Sequence, residues 1–151
     1  MKPRKPIKRT RIKAKRLTPV NKLQKKAEGL WKEIAYKRDG RECQVKKFYP
    51  QIGVEHTEVM QVDHGMSRTN KETFLEIANA TVLCSGCNLA KYRHQKSVEW
   101  AVLEIIKSRE GIDTFNRLNE INMRKGGFKN WSSRMWLEGQ IAILEEMLRN
   151  M

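Results

Sequence analysis

Two cysteines placed three residues apart are the feature that most constrains how this chain can fold. Cys84 and Cys87 form a Cys-Ser-Gly-Cys sequence, and Cys43 is the only further cysteine, so the three form no even set of disulfide bonds. A close pair of this kind is read first as a metal-binding turn and second as a redox motif. A redox pair normally opens a helix after a parallel strand, and nothing in the surrounding pattern indicates that context. The sequence therefore favours a metal-bound turn.

Hydrophobic periodicity predicts helices on both sides of a short β-like centre. Thr18-Pro19 suits a helix start and Asp39-Gly40 suits a helix end, with apolar residues at helical spacing between them. From residue 41 to about residue 77 the pattern is shorter, with a weak apolar alternation that ends at His64. The predicted elements are a helix at 19–38, a strand ending at 64, a helical turn at 73–78, a strand at 80–83, helices at 84–91, 97–109 and 112–123, and a last helix from Ser132 or Ser133 to about 148.

Positive charge is concentrated in the first 16 residues. The net charge is +14, and residues 1–16 hold nine Lys or Arg and no acid, whereas the remainder holds 22 basic and 17 acidic residues. Such arms are commonly disordered in isolation and neutralise phosphates by counterion release, so nucleic acid is the expected partner. A solubilising tail or a nuclear-import signal is the alternative. The arm residues expected to contact DNA are Lys2, Arg4, Lys5, Lys8, Arg9, Arg11, Lys13, Lys15 and Arg16.

The chain lacks the sequence signals of a membrane or secreted protein. No apolar run approaches the roughly 20 residues that span a bilayer, and no apolar segment follows the basic N-terminus. We therefore expect no membrane partner and a cytoplasmic location, which is the host cytoplasm if the chain is of phage origin. A length of 151 residues is enough for one domain with a modest core and appendages.

Four polar residues around the predicted strands can meet in one small space. Asp63 and His64 end the first strand, Asn79 lies 15 residues after His64, and Asn88 lies 24 residues after it. A neutral histidine can take a proton from water, while a carboxylate and an amide oxygen suit a hard cation such as Mg²⁺. These groups are the minimum for hydrolysing a phosphodiester. Taken singly, an Asp-His pair is common, and an asparagine here most often caps or turns the chain.

Three segments together resemble the HNH (ββα-metal) nuclease pattern: Val62-Asp63-His64, Asn79 to Cys84, and Cys84 to Lys91. From about Leu30 to Leu118 the chain is also similar to phage recombination proteins of the NinG (Rap) type, which are associated with branched DNA. The resemblance implies an α+β fold with a small ββα-metal core and a metal-dependent DNA endonuclease, acting on branched or nicked DNA in phage recombination or replication. Its products would carry 5′-phosphate and 3′-hydroxyl ends.

The same resemblance implies a division of the chain and a role for each site residue. The expected parts are a flexible arm at 1–17, an HNH nuclease domain with its flanking helices at 18–124, and a basic turn and helix at 125–151. The implied roles are general base for His64, ligands of one Mg²⁺ or Mn²⁺ ion for Asp63 and Asn88, support of the loop and of the histidine tautomer for Asn79, and neutralisation of phosphate for Lys91 and Arg68.

Some relatives carry a further helical histidine that binds the catalytic metal, and His94 stands in that region. His94 lies six residues beyond Asn88, which on a helix is an angular offset of about 240° and a rise of about 9 Å. We therefore expect His94 to act instead in a phosphate-facing cluster, with a merely solvated face as the alternative. The cluster comprises Lys91, Arg93, His94 and Lys96.

Many members of the family also bind a structural zinc ion through two Cys-x-x-Cys pairs. Here the first pair reads Cys43-Gln-Val-Lys46, and lysine is a poor zinc ligand, whereas a structural site needs four ligands. His56 is the best substitute because it precedes the Asp-His strand. The predicted zinc ligands are Cys43, His56, Cys84 and Cys87. The alternative is a member that has lost its zinc and keeps its cysteines as small buried hydrophobes.

Two other functions are compatible with these residues. A zinc-knuckle DNA-binding protein without catalysis is the first rival, and an RNA-binding or RNA-cutting module is the second.

Phe128, Trp131 and Trp136 surround the basic turn at 125–129. These aromatics can stack on exposed bases, anchor the last helix to the core, or take part in a homodimer contact through that helix.

Overall fold

The computed structural model describes residues 18–124 and 127–151. Over these residues the fold is α+β, as predicted, with one two-stranded antiparallel sheet. The predicted arm residues between Lys2 and Arg16, and Lys125 of the basic turn, lie outside the described residues. The elements are α1 (Pro19–Asp39), α2 (Gln44–Phe48), β1 (Met60–His64), β2 (Ala80–Cys84), α3 (Ser85–Tyr92), α4 (Lys96–Glu110), α5 (Ile112–Met123) and α6 (Arg134–Arg149), with 3₁₀ turns at Ile77–Asn79 and Lys129–Ser132.

The first helix begins and ends at the signals present in its sequence. The Thr18 hydroxyl accepts a hydrogen bond from the Asn21 backbone N–H at 3.2 Å, and Pro19 occupies the first turn. At the other end Gly40 adopts a left-handed φ of 70°, a conformation that glycine reaches at little cost. Within one residue, α1 therefore has its predicted bounds.

The two strands pair antiparallel and face a hydrophobic core on each side. Asp63 lies opposite Thr81, and His64 lies opposite Ala80. Every residue of β2 is buried. Val82 packs in the core formed with α1 and α6, while Leu83 packs in the core formed with α4. Because strand side chains alternate between faces, this short strand separates and supports both cores.

The helix α4 supports the chain immediately after the Asp63-His64 pair. Its buried face includes Val102 and Ile106. Gly65 lies so close to this helix that a Cβ atom there would be 1.8 Å from Ile106 Cδ1. The tight approach fixes where the loop leaves β1, and a larger residue at position 65 would displace either the loop or the helix.

The aromatic residues near the C-terminus anchor α6, which was one of the three options predicted for them. The ring of Trp131 lies 4.9 Å from that of Phe74, and Trp136 packs against both Trp131 and Phe128. The Trp131 carbonyl also accepts a hydrogen bond from Gln24 Nε2 at 2.8 Å. The last helix is thereby tied to α1 and to the loop between the strands.

The structure differs from the predicted elements in two places that bear on the site. The helix α2 follows Cys43 directly and was not predicted, because five residues are too few for a clear periodicity. The helix α3 ends at Tyr92, and His94 has a left-handed φ of 59°. The angular offset used for His94 assumed a continuous helix and was therefore wrong.

Among the described residues, no helix is both long and apolar enough to cross a membrane.

Candidate functional site

Three cysteines and one histidine converge where β2 meets α3. Cys84 ends β2 and Cys87 lies in the first turn of α3, while Cys43 directly precedes α2 and His56 lies between α2 and β1. Their ligand atoms all lie within 4.8 Å of one another, and the three cysteines are buried. The four residues predicted as zinc ligands therefore form one cluster that could hold a metal ion.

The spacing of the donor atoms is compatible with a structural ion such as zinc. Cys43 Sγ lies 3.7 Å from Cys87 Sγ. The Nδ1 atom of His56 lies 3.6 Å from Cys84 Sγ and 3.4 Å from Cys87 Sγ. With Zn–S near 2.3 Å and Zn–N near 2.05 Å, a tetrahedral site has S–S edges of roughly 3.8 Å and S–N edges of roughly 3.6 Å. These three separations are close to the corresponding edges, and all donor pairs lie within 4.8 Å.

The two facing thiols share a proton when no cation lies between them. The hydrogen bond between the two thiols lowers the pKa of Cys43 and raises the pKa of Cys87. Only the thiolate form of cysteine binds metals. Binding a cation in the cluster would therefore release the shared proton and replace its bond.

A close backbone contact at Gly86 brings His56 to the cysteine pair. A Cβ atom at position 86 would lie 1.9 Å from the Glu55 carbonyl oxygen, so glycine is what permits the approach. The Thr57 and Ser85 hydroxyls share a hydrogen bond of 2.6 Å beside it. These contacts hold the segment that carries His56 against the start of α3. The Ser-Gly between the cysteines thus has a structural role of its own.

A second set of polar residues lies at the opposite end of the strand pair from Cys84, centred on His64. The imidazole is stacked on Trp31, with ring centroids 4.3 Å apart and 15° between the planes. The Phe74 ring covers it at 4.2 Å. The indole N–H of Trp31 donates to the Glu76 carbonyl at 3.0 Å, which fixes the stacking partner. His64 is 6% exposed, with Trp31 stacked on one ring face and the Phe74 ring beside it, tilted by 40°.

The surroundings of His64 determine its tautomer and its charge. Nε2 lies 3.0 Å from the Phe74 carbonyl oxygen, which can only accept, so Nε2 carries the proton and Nδ1 carries the free lone pair. Burial lowers the pKa of His64 to about 4, and the nearby cations Arg68 and Lys71 act in the same direction. The histidine is therefore neutral near pH 7, as a proton acceptor must be.

Asn79 is fully buried and holds the ends of the loop between the strands together. Its Oδ1 accepts from the Met66 backbone N–H at 2.8 Å, and its carbonyl accepts from the Gly65 N–H at 2.7 Å. Its Nδ2 donates to the Thr73 carbonyl at 3.3 Å. The sequence analysis expected Asn79 to support this loop. The tautomer of His64, also expected of it, is instead fixed by the Phe74 carbonyl.

The carboxylate of Asp63 is paired with the side chain of Lys91. Lys91 Nζ lies 2.7 Å from Asp63 Oδ2 and donates to the His64 carbonyl at 2.8 Å. Both side chains are largely buried, at 17% and 19% exposure, and among the described residues Oδ2 has no further hydrogen bond. Burial raises the pKa of Asp63, and the charge of Lys91 opposes that rise. The sequence had suggested phosphate as the target of Lys91.

A second contact between β1 and α3 lies beside this ion pair. Asn88 Nδ2 donates to Gln61 Oε1 at 2.5 Å. Gln61 and Asp63 are two residues apart on β1 and so share a face, and Asn88 and Lys91 are three apart on α3. The Gln61 contact fixes the direction of the Asn88 amide, whose oxygen is left available to another partner.

These side chains line one side of a groove of about 1600 Å³. Seven of the predicted site residues line the groove: Asp63, His64, Arg68, Asn88, Lys91, Arg93 and His94. The charged residues that line it are balanced in sign. The basic ones are Lys32, Arg68, Lys91 and Arg93, and the acidic ones are Glu28, Glu55, Asp63 and Glu99.

The remaining residues expected to contact phosphate are exposed but not equally free. His94 Nδ1 and Lys96 Nζ both contact Glu99, at 2.9 and 2.8 Å. Among the described residues, Arg68 and Arg93 have no carboxylate within 4 Å. Arg68 and Arg93 are therefore the better placed cations for an anionic ligand in the groove.

Sequence reasoning missed the residues that hold the predicted ones in place. The sequence analysis singled out none of Trp31, Phe74 and Gln61. The alternation of β1 places Gln61 on the same face as Asp63, and that signal was available. The stacking of Trp31 on His64 depends on how α1 packs across the sheet, which no local pattern encodes.

Comparison with known proteins found no family model, no curated protein and no solved structure that matches the chain. The HNH and NinG-type resemblances therefore stay predictions that rest on this chain's own residues.

Proposed function

We propose that this protein is a metal-dependent endonuclease of the HNH (ββα-metal) type that hydrolyses phosphodiester bonds in DNA. The observation that carries the proposal is the state of His64. This histidine is neutral, has one tautomer and faces a groove that also contains a buried carboxylate and an amide. A structural histidine on a core face has no need of the other two groups.

In the proposed reaction His64 is the general base. Its Nδ1 lone pair takes a proton from the attacking water, while the Phe74 carbonyl keeps the opposite nitrogen protonated. Trp31 and Phe74 hold the ring so that Nδ1 keeps one direction during the transfer. Arg68 is exposed beside His64 and neutralises charge on the scissile phosphate.

Asp63 and Asn88 are the residues that would hold the divalent ion. A carboxylate oxygen and an amide oxygen are hard ligands of the kind that Mg²⁺ and Mn²⁺ prefer. The position already attracts a cation, because the Lys91 ammonium group lies 2.7 Å from Asp63 Oδ2 and 2.8 Å from the His64 carbonyl. When bound, the ion would stabilise charge on the phosphate and on the leaving oxygen.

In this proposal the ion held by Cys43, His56, Cys84 and Cys87 is zinc, and its role is structural. All four donors are protein side chains, which leaves no position for water or substrate, as in closed structural sites. The cluster joins α2, the segment before β1 and the start of α3. It thereby supports the helix that presents Asn88 and Lys91 to the groove.

A DNA-binding protein without catalysis is the rival function. The metal cluster and the basic arm would serve it equally well. It gives no role to the neutral His64, whose Nε2 proton is committed to the Phe74 carbonyl and which lines one groove with Asp63 and Asn88. We therefore favour the nuclease.

The test is cleavage of supercoiled plasmid with Mg²⁺ or Mn²⁺ by the wild type and by the His64→Ala variant. Because a general base typically contributes a factor of about 10² to 10⁴, we expect the variant to be slower by that amount. Two asparagine variants, one in the groove and one outside it, distinguish loss of a groove residue from loss of any surface amide. Asn88→Ala should lose activity, whereas Asn150→Ala, at the exposed end of α6, should cut at the wild-type rate.

Two outcomes would contradict the proposal. Equal cleavage by the wild type and by His64→Ala would assign the activity to something other than this histidine. Binding of DNA by both proteins with no cleavage by either, over duplex, nicked, forked and four-way substrates, would favour the non-catalytic binding protein.

A further inference from the structure

The cation that occupies Asp63 in the structure belongs to the protein itself. Lys91 Nζ contacts Asp63 Oδ2 at 2.7 Å and the His64 carbonyl at 2.8 Å, which are the distances of a charge-assisted hydrogen-bonding position. Only 19% of the Lys91 side chain is exposed. The ammonium group therefore occupies one of the oxygens proposed to bind a divalent ion.

The charges around this carboxylate disfavour a second cation. Asp63 also feels the positive charge of Arg68, and Lys71 lies close enough to act on His64. The carboxylate of Glu28, also in the groove, is paired with Lys32 at 2.9 Å. A divalent ion added here would face these positive charges while the Asp63 and Glu28 carboxylates are both already paired with lysines.

A nucleic-acid phosphate changes that balance. Each phosphate that enters the groove brings a negative charge, and a lysine can exchange one oxyanion for another by rotating its flexible side chain. Lys91 lies on α3 one turn after Asn88, so its ammonium group can leave Asp63 without movement of the backbone. The departure would free Asp63 Oδ2 at the moment when the phosphate supplies extra negative charge.

We propose that Lys91 is an internal competitor of the divalent ion, which leaves Asp63 for a DNA phosphate and thereby couples metal binding to substrate binding. The inference rests on the proposed function, since it concerns the same Asp63 site. Such coupling is reciprocal: DNA must strengthen metal binding by the same factor by which metal strengthens DNA binding. Its consequence is a nuclease that carries little catalytic metal until its substrate is present.

The experiment measures Mn²⁺ binding by the electron paramagnetic resonance signal of the free ion. The protein is full-length, zinc-loaded and kept at pH 8. It carries the His64→Ala substitution so that DNA is not cut during the titration. Mn²⁺ is titrated with and without a DNA duplex, and Mn²⁺ bound by the duplex alone is subtracted. The parent is compared with variants that also carry Lys91→Met, Lys91→Arg, Lys32→Met or Asp63→Asn.

The duplex should tighten Mn²⁺ binding to the parent by about tenfold, within the roughly 5- to 150-fold range typical of coupled sites. Lys91→Met should bind Mn²⁺ more tightly than the parent without DNA, by a similar factor, and should lose most of the response to DNA. Lys91→Arg keeps the charge and should resemble the parent. Lys32→Met removes an equal charge from the groove without touching Asp63, and should change the affinity by less than about twofold.

Failure of the inference is distinguishable from failure of the proposed function. If Asp63→Asn abolishes Mn²⁺ binding but Lys91→Met binds no more tightly than the parent, Lys91 does not compete and the coupling is overturned. If Asp63→Asn binds Mn²⁺ as the parent does, with and without DNA, Asp63 is no ligand and both proposals fall. A circular dichroism spectrum identifies any variant that does not fold, and Lys91→Gln then replaces Lys91→Met.

Discussion

At the scale of single residues, His64 differs from an ordinary surface histidine in every respect that matters for proton transfer. Its ring is stacked on Trp31 and contacts the tilted Phe74 ring, its Nε2 proton is committed, and burial lowers its pKa to about 4. The Asp-His pair and its spacing to Asn79 singled out His64 as the candidate base, which stays a prediction. The neutrality of His64 was not predictable, because burial arises from helices that are distant in the sequence.

The lowered pKa of His64 predicts an acid-side loss of stability with a defined sign. The unfolded chain binds a proton at His64 near its ordinary pKa of 6.5, whereas the folded protein binds it only near pH 4. The stabilisation is therefore complete above about pH 6.5 and is lost as the pH falls toward 4, by up to about 3 kcal/mol. Urea unfolding of the wild type and of His64→Phe over this range measures it.

The comparison with His64→Phe isolates the histidine from other groups. The pKa of Asp63 is raised by burial, which has the opposite effect on stability at low pH, and Asp63 is present in both proteins. The unfolding free energy of the wild type minus that of His64→Phe should fall as the pH falls, because only the wild type loses stability through His64. A difference that stays constant from pH 7.5 to 4.5 would mean that His64 titrates normally in the folded state.

At the scale of elements, the sequence predicted most of the order but not the way in which the cluster is assembled. The long helices and β2 have clear periodicity and capping signals, so their bounds agree with the structure to within a few residues. The short helix α2 has no such signal. His56 was chosen by elimination, and the contact that brings it in depends on a close backbone approach at Gly86.

Removal of the proposed zinc ion should destabilise the fold as a whole. A ligand present at 1,000 times its dissociation constant stabilises a protein by about 4 kcal/mol, and the cluster joins three separate parts of the chain. We expect about one zinc per chain on elemental analysis, and a fall of several degrees in Tm after chelation. Cys84→Ser should lose the metal and should show no further change with chelator. A metal-free protein with an unchanged Tm would contradict the assignment.

At the scale of the whole molecule, positive charge and candidate chemistry are separated along the chain. The residues that line the groove carry four basic and four acidic side chains, whereas residues 1–16 alone carry nine basic side chains. In the proposed function, the groove would make selective contact with a phosphate, and the arm would supply most of the general attraction to a polyanion.

Deletion of residues 1–16 should weaken DNA binding and reduce its salt dependence, while the metal content stays the same. Each lost phosphate contact lowers the slope of log K against log salt by about 0.9, so several contacts produce a clear change. A full-length variant with the nine basic residues replaced by glutamine controls for chain length. An unchanged slope in both would exclude the arm from the DNA interface.

The stacking of Trp31 on His64 also concerns how such a motif can be moved between proteins. Every residue proposed for chemistry lies between Asp63 and Lys91, yet the ring that steadies His64 is contributed by α1, 33 residues before it, and α6 packs on α1 in turn. A fragment limited to residues 63–91 would keep Asp63 and Asn88, the proposed ligands of the divalent ion. It would lose Trp31 and with it the orientation of His64, the proposed base. For engineering, the smallest transferable unit is the motif together with both enclosing helices.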